Sequence, residues 1–379
     1  MKTTNYKDHL HIVFAQDHYN PLGVIRSLGE CGISPVVVLC TEGNPPYLVN
    51  HSKYIGKIHI VEKFEDGIKL IKNLYSNEVL KPFIYSCSDD IESTLDAHYD
   101  DLVDYFYFFN GGEKGRLGFL MQKSEIMNLA VESGLRIPQT EIVRVGDLPQ
   151  KLNYPILTKS TISTVNKSKS NTFICRNEEE LIKAYEKITE SHIILQEYID
   201  KVNELCIDGI CIHGKGIYIP IQSEYIRFNP SAYGNYILFK QFEDTQIFKQ
   251  MEVLFDKTRF TGIFSIEFLR DKNNNLYFLE INFRNSTWSY AHTKMGVNLP
   301  IIYAKSILAD NFVIDDVKVK KIPFTAIQEF SDFKDGVLGK QVSLWQWIKD
   351  VMNCDCLFYY NKYDPNPFWS ALRKKIVKF

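Results

Sequence analysis

Residues 262–284 read GIFSIEFLRDKNNNLYFLEINFR. Two apolar runs, 262–269 and 276–283, flank the polar stretch Asp271, Lys272, Asn273, Asn274 and Asn275. This spacing predicts two antiparallel strands joined by a polar turn. Strand side chains alternate between faces, so Glu280 and Asn282 share one face, and Glu267 can join them from the neighbouring strand. Two carboxylates and an amide oxygen converging in an aromatic-rich sheet call for a partner, because unpaired buried charge is costly. Oxygen donors alone suit Mg²⁺, which in enzymes usually accompanies nucleotide phosphates. Taken by itself, the hairpin also fits a buried polar network or a Ca²⁺ site.

The surrounding chain of 379 residues is long enough for two or three domains with full cores. Its 45% hydrophobic and 24% charged content is that of an ordinary globular protein. A formal net charge of -2 gives no overall attraction to nucleic acid. Eight scattered cysteines form no CxxC pair and no zinc-type spacing, which fits reduced thiols in a cytoplasmic protein. No stretch reaches transmembrane length and the N-terminal residues lack a long apolar region, so a cytoplasmic location is expected.

From residue 9 to about 110, short apolar runs alternate with helical patterns. Strands are expected at 10–15, 36–40, 58–61, 83–86 and 105–109, with helices at 22–31, 66–75 and 90–98. That alternation predicts a parallel α/β sheet, whose ligands bind at the carboxyl ends of its strands. The loops 16–23 and 87–90 are therefore candidate substrate lips, although their Asp, Ser and Asn residues equally suit turns and helix caps. No GxGxxG fingerprint appears, which argues against a dinucleotide.

A helix opening at Lys123 leads into a small α+β unit. Strands are expected at 140–145, 155–159, 172–175 and 192–199, with a helix at 178–189. Residues 160–171 form a polar loop without glycine. Residues 203–283 read as a mostly antiparallel sheet with a helix near 245–258. The run Gly209-Ile210-Cys211-Ile212-His213-Gly214-Lys215-Gly216 nearly spells a phosphate loop. It lacks the final Ser/Thr and the following helix, so a hairpin turn is the better reading. Beyond 301, a helix near 343–352 and a basic terminal segment suggest packing on the body, with a membrane-surface helix as the alternative.

The order Lys123, Lys159, the polar loop, Gln196-Glu197-Tyr198-Ile199, Glu204, Glu267 and Glu280-Ile281-Asn282-Phe283-Arg284 resembles the ATP-grasp ligase superfamily over about residues 9–310. The run Pro21-Leu22-Gly23-Val24-Ile25-Arg26-Ser27-Leu28-Gly29 looks like the N-terminal domain of carboxylate–amine ligases, a group that includes D-aspartate ligases. The resemblance implies an N-terminal parallel α/β domain at 1–112 and a two-lobed ATP-grasp fold, with the small lobe at 113–200 and the large lobe at 201–312. A C-terminal extension at 313–379 would pack on the body.

The roles it implies are specific. Lys123 and Lys159 would hold ATP phosphates. Glu197 and Ile199 would contact adenine, largely through the backbone, and Glu204 would bind ribose. Glu267, Glu280 and Asn282 would hold Mg²⁺, two ions, with Mn²⁺ as a substitute. Arg284, with Lys159, would neutralise charge in the reaction. The implied partners are a small-molecule carboxylate and amine, with no nucleic acid and a homodimer as a candidate assembly. The expected activity is ATP-dependent amide formation through an acyl phosphate. Carboxylation is the enzymatic alternative. The departure from the family's glycine-rich loop keeps a nucleotide-binding protein without turnover as the alternative from another class. For the acceptor pocket, Arg227, Lys240, Trp288 and the general-base candidate His292 are candidates, with a packing or surface role the favoured reading of each.

Overall fold

The computed structural model describes residues 5–161, 171–227, 234–314 and 317–376. Strands β1 (His11–Gln16), β2 (Val36–Cys40), β3 (Lys57–Val61) and β4 (Phe83–Ser86) form a parallel sheet in the order β3-β2-β1-β4. β2 reads VVVLC and is buried at every position, as a strand covered on both faces requires. Helices Tyr19–Gly29, Phe64–Tyr75 and Asp89–Ala97 accompany this sheet.

The strand expected at 105–109 is absent. Tyr107 makes one isolated bridge to Phe83, and Asn110 bridges Thr261 instead. The segment divides its hydrogen bonds between two sheets: Tyr107 N donates to Pro82 O (2.8 Å), and Asn110 N to Thr261 O (3.0 Å). It therefore joins the sheets rather than extending either ladder.

Strands β5 (Thr140–Arg144), β6 (Ile156–Lys159), β7 (Ile174–Cys175) and β8 (His192–Glu197) form a second, antiparallel sheet in the order β5-β8-β6-β7. Helix Glu178–Tyr185 buries Leu181 and Tyr185 with Ile156, Ile193 and Leu195. It ends earlier than expected, because Lys187 and Ile188 donate to Ala184 and Tyr185 in tighter turns.

The third sheet contains β9 (Lys201–Ile212), β10 (Gly216–Tyr225), β11 (Tyr236–Gln241), β12 (Gly262–Asp271), β13 (Leu276–Asn282), β14 (Phe324–Ile327) and β15 (Cys356–Leu357). Its order is β13-β12-β9-β10-β11-β14-β15, antiparallel except for the last pair. The near-phosphate-loop motif is the β9–β10 hairpin turn. Gly214 has φ +67° there, and a Cβ on it would meet Arg259 Cα at 2.6 Å.

The chain beyond residue 313 supplies β14 and β15 and then returns to the first sheet. Arg26, fully buried, donates through Nε to Asp364 (3.0 Å) and through its Nη atoms to the carbonyls of Phe358, Tyr359 and Asp364. Asp364 also accepts from Ser52 Oγ and Lys53 N, so every end of this buried pair is occupied. The basic terminal helix Asn366–Ile376 lies on the body: Ala371 is buried, and Lys374 and Lys375 sit over the rings of Tyr47 and Phe330. Among the described residues no helix is long and apolar enough to cross a membrane.

Candidate active site

Residues 262–282 form the β12–β13 hairpin. Its register sets Glu267 opposite Glu280 and Ser265 opposite Asn282. A bulge follows, shifting the pairing to Phe268 opposite Phe278. Bulges bend a strand and re-aim its side chains, and they recur beside functional sites. The turn is held by Asp271, whose carboxylate accepts from the backbone of Asn273 and Asn275.

A continuous chain of hydrogen bonds starts at this hairpin. Asn282 Nδ2 donates to Glu267 Oε1 at 3.1 Å. Arg284 Nη2 donates to Asn282 Oδ1 at 3.0 Å. Arg284 also donates to both carboxylate oxygens of Asp89, at 2.8 and 3.2 Å. Asp89 begins the helix that follows β4, so the parallel sheet reaches the hairpin directly. Burial works against the Arg284 charge, but Asp89, Glu267 and Glu280 more than offset it and raise its pKa.

Glu267 is under strain of charge. Burial, then Glu280, then Glu204, push its carboxyl well above the usual range, and Arg284 only partly opposes this. Across the cleft, Lys159 ends β6. Burial and then Lys123 pull its ammonium down to about 8, while Glu280 and Glu204 act in the opposite direction. Pairwise interactions thus link Lys123 to Lys159, Lys159 to Glu280 and Glu204, Glu267 to Glu280, Glu204 and Arg284, and Arg284 to Asn282. Glu204 also accepts a short hydrogen bond from Lys201.

Glu197 and Ile199 lie where the chain leaves β8 and enters β9, so this segment crosses from the second sheet to the third. The Glu197 carboxylate accepts from Gln139 N at 3.1 Å, and the Ile199 side chain is buried. The crossing is thus anchored at one end and apolar at the other. Of the polar loop 160–171, residues 162–170 lie outside the described residues. Glu190 holds both of its described ends, accepting from Ser160 Oγ (2.6 Å) and Asn171 Nδ2 (2.7 Å). No spacing in the sequence pointed to Glu190.

No cluster of three His, Cys, Asp or Glu side chains suited to a metal occurs among the described residues. The donors at the hairpin are two carboxylates and one amide. That set fits Mg²⁺, which takes few protein oxygens and completes its shell with phosphate and water. The raised Glu267 carboxyl beside Glu280 is the like-charge conflict that a divalent cation would relieve.

A cavity of about 410 Å³ opens from Glu267, Glu280 and Arg284 toward His18, Tyr19 and Trp288. Both candidate lips contribute to this region. His18 and Tyr19 line the cavity, and Asp89 holds Arg284. Asp17 does not take part, since its carboxylate accepts from the backbone of Tyr47 (2.7 Å) and Val49 (2.8 Å). Gln328 and Ser331, from the segment after β14, complete the far wall. A larger cavity of about 1020 Å³ lies around the β9–β10 turn, lined by Arg116, His213 and Arg259. It holds none of the carboxylates above, and its Lys257 and His213 are paired with Glu132 and Asp310.

Three of the four acceptor-pocket candidates have structural partners, in line with the packing or surface reading. Arg227 is bound to Asp332 (2.8 Å) and Asp350 (2.6 Å), tying β10 to the C-terminal segment. Lys240 pairs with Glu224, which also holds Arg270. His292 is fully buried 3.5 Å from Asp208, and burial lowers its pKa. It does not line the cavity, so it cannot reach an amine there. Trp288 does line the cavity.

No family model matches the chain. In sequence it is similar to a D-aspartate ligase from Enterococcus faecium, 24% identical over 259 residues. That match covers 62% of this chain, which spans 61% of the ligase's length. In structure it is similar to the ADP complex of an N5-carboxyaminoimidazole ribonucleotide synthetase, with a TM-score of 0.65, 15% identity, and 88% and 84% of the two chains covered. It is also similar to an L-amino acid ligase from Bacillus licheniformis, with a TM-score of 0.58, 14% identity, and 82% and 78% covered. The chain has the ATP-grasp fold, a parallel α/β sheet followed by two further sheets, and resembles the carboxylate–amine ligases of that superfamily.

Proposed function

We propose that the chain is an ATP-dependent carboxylate–amine ligase. A carboxylate oxygen attacks the γ-phosphorus of ATP, ADP leaves, and an acyl phosphate forms. An amine then attacks the acyl carbon, gives up a proton, and phosphate leaves with an amide formed. The observation that carries this reading is the chain from Asp89 through Arg284 and Asn282 to Glu267, facing Lys159.

In this reading Lys123 and Lys159 bind the phosphates, and the backbone around Glu197 and Ile199 binds adenine. Glu204 binds the ribose. Glu267, Glu280 and Asn282 hold Mg²⁺, two ions, which supply charge neutralisation at the phosphates. Arg284 stabilises charge at the transferred phosphoryl group; a planar guanidinium suits that task better than an ammonium. Phosphoryl transfer needs positioning and neutralisation more than covalent catalysis, and the residues are of those kinds. The four parts of this division are 1–112, 113–200, 201–312 and 313–379. Free thiols at all eight cysteines accord with a cytoplasmic enzyme. A homodimer is the assembly to look for by sedimentation.

The test is ADP release in the presence of Mg²⁺ and ATP over pools of carboxylates and amines. Release that requires both pools supports ligation. Release driven by bicarbonate without an organic acid would favour carboxylation, a reading supported by the likeness to the ribonucleotide synthetase.

A further inference from the structure

Resting on the ligase reading, we propose that the acid activated here carries a single negative charge and an uncharged, planar or apolar side chain seated against Tyr19 and Trp288. Arg284 is the sole Lys or Arg among the described residues lining the cavity. Its guanidinium already makes two hydrogen bonds to Asp89 and one to Asn282. His18 adds no charge near neutral pH, since burial and Arg284 pull it down to about 4. Arg227 and Lys240 do not line the cavity and are committed, Arg227 to Asp332 and Asp350, and Lys240 to Glu224.

The remaining polar lining consists of amides and hydroxyls such as Asn235, Gln328 and Ser331. A second substrate carboxylate on the Tyr19–Trp288 side would face these neutral groups, and the one described lining cation, Arg284, is already committed. Leaving that group without a cation lowers use of the acid by about 100-fold or more. The apolar wall is built to stay in place. Tyr19 and Trp288 have ring centroids 6.2 Å apart. Phe358 backs Trp288 at 5.2 Å and Tyr19 at 5.8 Å. Rigid aromatic surface with a few neutral donors is the usual lining for a flat or apolar ligand. The C-terminal segment, which supplies Gln328, Ser331 and Phe358, thereby sets the choice of acid.

The test uses the full chain with Mg²⁺, ATP and a mixture of primary amines. Initial ADP release is compared for phenylalanine and other neutral amino acids against aspartate and glutamate, with MgADP binding followed in parallel by calorimetry. The expected result is a kcat/KM at least about 100-fold higher for neutral acids. Ser331→Lys should raise the use of aspartate by about tenfold or more, because it adds the missing cation. Bound MgADP with aspartate or glutamate preferred overturns this inference alone, whereas bound MgADP with no ADP release from any acid overturns the ligase reading as well. Absence of MgADP binding overturns the ligase reading together with it.

Discussion

Arg284 and Asp89 are joined by hydrogen bonds of 2.8 and 3.2 Å across 195 residues of sequence. The pair ties the third sheet to the first and aims the guanidinium toward Asn282. Asp89→Ala should leave Arg284 charged but misdirected. A misplaced positioning group costs about 100-fold in rate, so turnover at saturating ATP should fall by that order. Asp89 is nearly half exposed and Arg284 keeps Glu267 and Glu280 as counter-charges, so unfolding stability should fall by only about 1 kcal/mol. Denaturant titration beside ADP-release kinetics separates the two effects.

Replacement of Glu267 by Gln should act in opposite directions on stability and activity. Burial and the neighbouring Glu280 make the native carboxylate costly, so the neutral amide should raise the melting temperature of the ligand-free protein. Mg²⁺-dependent ADP release should be lost. Thermal scans with and without Mg²⁺ and ADP check both outcomes, and a fall in melting temperature would count against the strained pair.

Lys159 gives a pH signature. Burial and Lys123 lower its pKa from 10.5 to about 8. The free protein therefore carries the cost of a charged ammonium below about 8 and is relieved of it as pH rises toward 10.5. Nucleotide affinity should run the other way, weakening as pH rises through about 8 and the charge is lost. Lys159→Arg stays charged and should flatten that alkaline limb in a calorimetric titration, whatever its affinity at neutral pH.

The buried pair Arg26–Asp364 should matter more for folding than for chemistry. Removing one partner leaves the other charge buried and unpaired, which costs about 3–5 kcal/mol. Asp364→Ala should show that loss in urea unfolding. Replacing both residues with apolar side chains of similar size should not recover it, because the carbonyls that Arg26 serves and the Ser52 and Lys53 donors would be left unpaired.

The sequence made some of this legible for local reasons. β2 and β4 end where their apolar runs end, and the Glu267–Glu280–Asn282 face follows from strand alternation. Segment 105–109 misled because apolar content does not say which sheet takes the hydrogen bonds. Arg227 looked available because its partners, Asp332 and Asp350, lie 105 and 123 residues away. His292 faces Asp208 inside the fold for the same kind of reason, and no spacing records such a pairing. Gln328 and Ser331 reach the cavity only because β14 adds to the edge of the third sheet. Asp89 stood in a loop already suspected, but a helix cap and an arginine anchor look alike in sequence.

If the hairpin serves transfer of the γ-phosphoryl group to a carboxylate, an acid labelled with heavy oxygen in its carboxylate will pass one labelled oxygen to the phosphate released with ADP. Glu280→Gln should abolish both products. Unlabelled phosphate, or label appearing in AMP, would contradict that transfer.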